Sequence, residues 1–499
     1  MDVITAVMIV LRLLVLAWSY VLGSNSSRHR GKLAPGPYPF PIIGNIFQLG
    51  RKPHQSLAKL SKTYGPLMSL HLGSKYTVVV TSPEMAKEIL QKNDKVFSSR
   101  NIHVAARAHD HHNHSMGYLP VGSQWNKIRR LCREQLFSIQ CLEAGQGLRQ
   151  EKLRQLCDYV QECCLSGRVV DIGKAAFTTT LNLMSVTLVS TDFSNYGSDS
   201  SNEWEQAILG VMNVVGIPNF ADFFPILKLV DPQGVKRKAD SCFGKLLEKF
   251  EDLINQRLEY SKNNINSPKK KDLLEVLLDP THGSEYNLST FDIKHLLLDL
   301  IVGGSDPSAT IIEWTMTELL RNPKIMSRAK DELKTVLGGN KQAKESDILR
   351  LPYLQAVIKE TFRFHSPGPL LIPRSSDYDT DINGYLIPKN TQIIVNAWAM
   401  GRDSSLWSNP DSFEPERFLN NKVDFKGRDF ELIPFGAGRR ICPGMPLADQ
   451  MVHLVLAYLI HNFDWAIIQS GKQTEADTGE KFGLSLHRAA PLKALPIKP

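Results

Sequence analysis

Apolar residues crowd the start of the chain. From Val3 to Leu22 the run VITAVMIVLRLLVLAWSYVL has the length that crosses a bilayer as a helix. Arg12, near its middle, costs about 3 kcal/mol unless its side chain reaches the interface. A signal peptide cleaved at Gly23-Ser24 is the competing reading. The basic flank of Arg28, Arg30 and Lys32 suits the cytosolic side of an anchor. Next comes APGPYPFPIIGN, with four prolines between Pro35 and Pro41; their fixed φ predicts a stiff, extended connector. The stretch SLHLGSKYTVVVTS, Ser69 to Ser82, predicts strand, turn and strand. Ser82 and Pro83 then open a helix as its N-cap and first residue. The middle of the chain reads as helical for a long way, interrupted by the polar, basic surface loop Ser261 to Asp272. An apolar segment from about Phe291 to Leu320 predicts a central helix, capped by Ser289 or Thr290 and closed by Asn322-Pro323. Leu351 to His365 is amphipathic and predicts a helix ending before Pro367. It carries Glu360 and Arg363 on one face. No internal repeat is present.

Composition sets the scale. A chain of 499 residues, 42% hydrophobic and 22% charged, buries a large core and exceeds the usual ~50–250 residues of a single domain. One large catalytic body or two domains are expected. The net charge of +8 is dispersed along the chain, which suits acidic membranes or acidic protein partners and argues against nucleic acid. The seven cysteines are odd in number, scattered and without zinc-finger spacing. They read as reduced thiols facing the cytosol, not as a disulfide framework.

Candidate chemistry gathers at four places. PFGAGRRICPGMPLADQMVH, Pro434 to His453, sets glycines, two arginines and Cys442 ahead of a run that can become a helix. Ile441 fills the third-glycine position of a dinucleotide fingerprint, and a phosphate-loop lysine is missing, so the loop serves something other than a phosphate. Arg417 in PERF offers Glu360 a second cation. Trp125 and Arg129, four apart in GSQWNKIRR, can turn an indole N–H and a guanidinium toward one anion. The central helix carries GGSDPSAT: Gly303 and Gly304 leave room for a flat ligand, and Asp306 is a carboxylate in apolar surroundings. HDHHNH, His109 to His114, has no Cys or carboxylate set elsewhere to complete a tetrahedral metal site, so no metal is expected there.

Phe435, Gly436, Gly438, Arg440, Cys442 and Gly444 form the ordered pattern Phe-Gly-x-Gly-x-Arg-x-Cys-x-Gly, which resembles the haem-binding loop of the cytochrome P450 family. Glu360 with Arg363, the Pro415 to Phe418 block with Arg417, and the Trp125/Arg129 pair fall in that family's order and spacing. The resemblance runs from the N-terminal apolar run to the final GLSLHRAAPLKALP, and the chain is similar to plant microsomal members.

The resemblance implies the cytochrome P450 fold, mainly α with a small β-rich region, preceded by one N-terminal transmembrane helix. The expected organisation is a membrane anchor over 1–23, a basic and proline-rich connector over 24–45, and a haem-thiolate catalytic domain over 46–499. It implies haem b with Cys442 as axial thiolate, a ligand that pushes electron density onto iron and favours O–O cleavage. Arg440, Trp125, Arg129 and Arg374 would meet the haem propionates, since guanidinium grips carboxylate with two bonds. Phe435, Gly436, Gly438 and Gly444 would let backbone approach the cofactor, and Glu360, Arg363 and Arg417 would support the fold. The family usually places Thr directly after the acid of the central helix, where this chain has Pro307. Proton relay then falls to Asp306, Ser305 or Ser308 with water.

HGSEYNLSTFDIKHLLLDLIVGGSD, NFADFFPILKLVDPQGVKRKAD, SMGYLPVGSQW and DFKGRDFELIPFGAGRRICPGMPLA resemble the plant terpenoid hydroxylases that include geraniol hydroxylase and, nearer still, ferruginol synthase. That resemblance implies hydroxylation of an abietane-type diterpene with O2 and electrons from a separate NADPH-cytochrome P450 reductase, at the endoplasmic reticulum membrane with the catalytic domain facing the cytosol. The chain has no flavin or nicotinamide fingerprint of its own. Implied pocket walls include Leu300, Gly303, Gly304, Leu370, Leu371 and Leu484, together with the His103 to Met116 and Ile217 to Phe224 segments. Two alternatives stay open: a monoterpenoid substrate such as geraniol, and an electron-independent haem-thiolate isomerase or dehydratase. Against the latter, the loop around Cys442 lacks the insertion of the electron-independent branch.

Overall fold

The computed structural model describes residues 31–498 apart from 198–202, 264–271, 280–285, 339–341, 470–471 and 474–477. The predicted span, residues 1–23, and the start of the connector, 24–30, lie outside the described residues.

The fold is mainly helical. Its principal helices are α1 (Pro53–Tyr64), α2 (Pro83–Lys87), α3 (Ser123–Gln135), α4 (Gln146–Ser166), α5 (Ile172–Val189), α6 (Glu203–Gly216), α7 (Val235–Asn263), α8 (Thr290–Arg321), α9 (Pro323–Leu337), α10 (Pro352–Phe364) and α11 (Met445–Asn462). α7 carries its helical pattern three residues into the segment read from sequence as a loop. α8 is the predicted central helix. Of the two caps foreseen, Ser289 serves: its hydroxyl accepts from Asp292 N–H at 3.1 Å, and Asp292 accepts in return from Ser289 N–H at 3.0 Å, a capping box. Pro307 sits inside α8 and the helix continues through it. α8 packs most extensively along α5 and also against α7, α10 and α11. Trp314 anchors its C-terminal half: fully buried, the indole stacks on His365 at 3.8 Å and donates to Leu486 O at 2.8 Å.

The β-rich region comprises β1 (Leu67–Leu72), β2 (Lys75–Val80), β3 (Ser99–Arg100), β4 (Val170–Asp171), β5 (Arg374–Ser375), β6 (Thr380–Ile382), β7 (Tyr385–Ile387), β8 (Gln392–Val395), β9 (Asp464–Gln469), β10 (Lys472–Gln473), β11 (Glu480–Lys481), β12 (His487–Arg488) and β13 (Lys493–Ile497). The β1–β2 hairpin is the predicted strand, turn and strand, and Ser82 caps α2 by accepting from Met85 N–H at 3.3 Å. One sheet has the order β1-β2-β8-β5-β3, a second β10-β9-β13-β4, and β6-β7 and β11-β12 pair alone. β2 and β8 run parallel, whereas β8, β5 and β3 alternate. This joins Arg100 and Arg374, distant in sequence, as register partners.

From residue 31 the connector lies on the protein instead of standing free. Pro35 O accepts from Ser69 N–H at 2.7 Å, and Asn45 accepts from His71 N–H at 2.8 Å. A Cβ at Gly36 would stand 1.9 Å from Ser69 O, so only glycine allows this approach.

Candidate functional site

Residues 434–444 fold as a tight loop ahead of α11, which takes up the rest of the Pro434–His453 segment. Gly436 and Gly438 have φ of 71° and 69°, and Cys442 N–H closes the loop onto Phe435 O at 3.0 Å. A Cβ at Gly438 would lie 1.7 Å from Leu90 O. That glycine therefore docks the loop on the segment after α2 and does not line the cavity described below. Cys442 stands just before the N-terminus of α11, where the backbone N–H groups of Gly444 and Met445 point at its sulfur. Burial pushes the thiol pKa up, against the pull of Gly444 N–H, the Arg129 guanidinium and Met445 N–H. Those same donors stabilise a thiolate once a metal cation holds it.

Cys442 opens into a cavity of about 1180 Å³, above the ~300–1,000 Å³ of ordinary ligand pockets. Phe435, Gly436, Gly444, Trp125, Arg129, Arg374 and Arg440 all line it. So does Arg100, which sequence reading missed. Its only signal was a place just ahead of the pocket loop; β3–β5 pairing brings it to Arg374.

These arginines, buried at Arg374 and Arg440 and half-buried at Arg100 and Arg129, lack the anions that a buried guanidinium needs. Among the described residues no carboxylate lies within ion-pair distance of Arg100, Arg129, Arg374 or Arg440. Arg129 donates to Ile441 O at 2.9 Å, Arg374 to Ala437 O at 3.0 Å, Arg100 to Gly117 O at 3.1 Å, and Arg440 to Ser98 O at 2.9 Å and to Leu119 O. Burial draws the pKa of Arg440 to about 9, with Arg100 and Arg129 adding repulsion. Burial with Arg374 draws Arg100 to about 9, and burial with Arg440 draws Arg374 to about 10. Such a cluster calls for a dianion. A large flat cofactor with two carboxylates and a metal for Cys442 satisfies both ends of the site, and haem fits that description. Trp125 acts differently from the expectation of a shared anion: its N–H donates to Met116 O at 3.1 Å, while its ring lies under Arg440 at 4.9 Å and Arg129 at 5.5 Å.

α8 forms another wall. Leu300, Gly303, Gly304, Pro307 and Ser308 line the cavity, as do Leu370, Leu371 and Leu484. A Cβ at Gly303 would meet nothing within 4 Å, so that glycine leaves open space; at Gly304 it would press on Met184 at 2.8 Å. Pro307 has no N–H to give the Gly303 carbonyl. Ser308 donates to Gly304 O at 3.1 Å. Ser305 is buried outside the cavity lining and donates to Ile301 O at 2.8 Å. Asp306 also lies outside the lining: its Oδ1 meets His487 Nε2 at 3.3 Å, and its Oδ2 is buried without a partner among the described residues.

Glu360, Arg363 and Arg417 converge below α10. Arg363 grips Glu360 with two bonds of 2.7 Å, Arg417 adds one of 3.1 Å, and Glu414 N–H one of 2.7 Å. Glu360 and Arg363 side chains are fully buried, so the pair belongs to the core and not to the surface. The histidine-rich segment packs over α8: His111 meets His295 at 2.8 Å and Asp299 at 3.2 Å, and His114 meets Asp292 at 2.6 Å. Among the described residues no group of three or more His, Cys, Asp or Glu side chains is placed to hold a metal ion.

A family model described as cytochrome P450 matches residues 34–491. Ferruginol synthase of Salvia miltiorrhiza is 56% identical over 472 residues, covering 95% of either chain. Sugiol synthase of the same species is 54% identical over 473 residues, covering 95% of this chain and 96% of that one. Carnosic acid synthase of Rosmarinus officinalis is 50% identical over 493 residues, covering 97% and 98%.

Proposed function

The chain belongs to the cytochrome P450 family of haem-thiolate monooxygenases, and from that premise we propose that it hydroxylates an abietane-type diterpene with Cys442 as the iron ligand. The observation that carries this reading is the union, in one cavity, of a cysteine sulfur facing backbone N–H groups, buried and half-buried arginines without carboxylate partners among the described residues, and apolar walls. Relatives that are 56% identical over 95% of the chain carry the name ferruginol synthase, which supports the substrate class.

Bound there, haem supplies dioxygen activation, with electrons from a separate NADPH-linked reductase. This chain's residues do the rest. Arg100, Arg129, Arg374 and Arg440 would hold the propionates, each already oriented by a backbone carbonyl. Leu300, Leu370, Leu371 and Leu484 would exclude water from the substrate and hold its ring system by apolar contact. Gly303 keeps the helix surface clear, and its carbonyl, spared by Pro307, can accept from an ordered water or a substrate hydroxyl. Proton movement would start at Asp306, because Ser305 and Ser308 already donate to backbone carbonyls.

We also place the enzyme at the endoplasmic reticulum membrane, anchored by residues 1–23, with residues 46–499 as the catalytic domain. Tyr38, Phe47, Ile226, Leu229 and Val230 are all more than two-thirds exposed. Ser74 bonds Phe223 O, which ties the connector side of the molecule to the segment bearing Ile226 to Val230. Such exposed apolar side chains suit contact with lipid.

The test is to supply microsomes bearing the protein with reductase, NADPH and a panel of mono- and diterpenes. A hydroxylated abietane-type product that requires NADPH is expected. Turnover without NADPH would instead give the electron-independent rearrangement, and preference for geraniol would move the substrate to the monoterpenoids.

A further inference from the structure

The sole departure from the family pattern noted in the central helix, proline where a hydroxyl is usual, leaves open how protons reach the cavity. Resting on the monooxygenase reading, we propose that His487 is a positioning residue that passes protons from solvent to Asp306.

The geometry is specific. His487, on β12, has a side chain 37% exposed, and Asp306, on α8, only 4%. His487 Nε2 lies 3.3 Å from Asp306 Oδ1, and its Nδ1 lies 3.3 Å from Thr310 Oγ1. Asp306 and Thr310 are one helical turn apart, so one imidazole bridges both. Asp306 Oδ2 is buried with no partner among the described residues, a costly arrangement that needs an explanation. Gly303, three residues before Asp306 and so on a neighbouring part of the same helix face, borders the cavity. The imidazole is held in place: β11 pairs with β12, Lys481 standing opposite His487. Neighbouring Glu480 binds Gln55 at 2.7 Å, His54 at 3.0 Å and Trp398 at 3.2 Å.

The charges around His487 come from two elements. Asp306 and Glu313 face it from α8 and Lys481 from β11, while Arg488 is turned to Glu313 at 3.8 Å and Thr317 at 2.7 Å. Burial draws the imidazole pKa down, but the hydrogen bond and charge of Asp306, with the charge of Glu313, outweigh it and raise the pKa above the ordinary value. A larger share of His487 is therefore protonated near neutrality.

In the step itself the Nε2–H bond of the imidazolium breaks and an O–H bond forms on Asp306, leaving neutral imidazole and neutral acid. Solvent at the exposed edge of the ring returns a proton to His487. Asp306 releases its own through water toward the cavity, where dioxygen activation would consume it.

His487→Gln keeps a donor for Asp306 and so keeps the hairpin seated. Haem content and the thiolate carbon-monoxide band should stay as in the parent. KM for any accepted substrate should stay within about two-fold, while the product-to-NADPH ratio falls about five-fold and peroxide rises, less than the ~10²-fold or more lost with a directly acting general acid. The parent ratio should fall as pH rises through the imidazole pKa, the Gln variant should lose that dependence, and His487→Lys should regain part of the ratio. Apart from turnover, the histidine nitrogen NMR signal absent from the Gln variant should titrate above ~6.5 in the parent and move down toward it in Asp306→Asn. An unchanged ratio and pH profile in His487→Gln, or a rise in KM alone, would overturn the proposal. Loss of the carbon-monoxide band in the parent protein would instead overturn the haem-thiolate reading.

Discussion

Cys442 differs from the other cysteines by its surroundings. Burial pushes the thiols of Cys132 and Cys157 up to about 12, and neither lines the cavity, whereas Cys442 faces its open volume and backbone N–H donors. Cys442→Ser should fold and lose the reduced carbon-monoxide band of thiolate haem, because a neutral ligand donates less charge to iron; difference spectroscopy checks this. Pro307→Thr should raise the product-to-NADPH ratio with KM nearly unchanged, since it adds a hydroxyl relay and no apolar contact; product and cofactor assayed together would show it. Cys442 was legible because its motif is local. Arg100 was not, because its partnership with Arg374 exists only through strand pairing. The roles of Ser305 and Trp125 were likewise beyond reach of spacing alone, since they depend on where each donor finds a carbonyl.

At the scale of elements, periodicity and capping carried far. The β1–β2 hairpin, the Ser82 cap and the extent of α8 follow from alternation, Ser-Pro, and the apolar run between Ser289 and Asn322-Pro323. α8 passes Pro307, as the predicted segment required; the packing against α5, α7 and α11 that offsets the lost hydrogen bond did not follow from periodicity. Nor did the seating of the β11–β12 hairpin, whose anchor Glu480 binds His54, more than four hundred residues earlier. The Glu360 cluster shows sequence and structure at different strengths: spacing put Glu360 and Arg363 on one helix face, and burial makes the pair a core element. Glu360→Ala should cost about 3–5 kcal/mol by stranding buried charge. Haem incorporation and thermal unfolding should both decline, without a change of product in whatever enzyme remains.

On the scale of the whole molecule, no helix among the described residues is long and apolar enough to cross a membrane, and the predicted span lies in residues 1–23. On the membrane reading proposed above, the exposed Ile226, Leu229 and Val230 would give a second route to lipid. A form lacking residues 1–30 should still bind acidic vesicles, and replacing those three side chains with serine should weaken flotation about tenfold or more. Equal flotation of the two forms would remove that surface from the membrane account. The cavity, the arginines and Cys442 together would make one monooxygenase site. The most direct test is to incubate the full chain, reductase, NADPH and an abietane-type diterpene under isotopically heavy dioxygen and weigh the product. The account predicts one heavy oxygen atom in the hydroxylated diterpene. Product oxygen drawn from water, or product formed without NADPH, would contradict it.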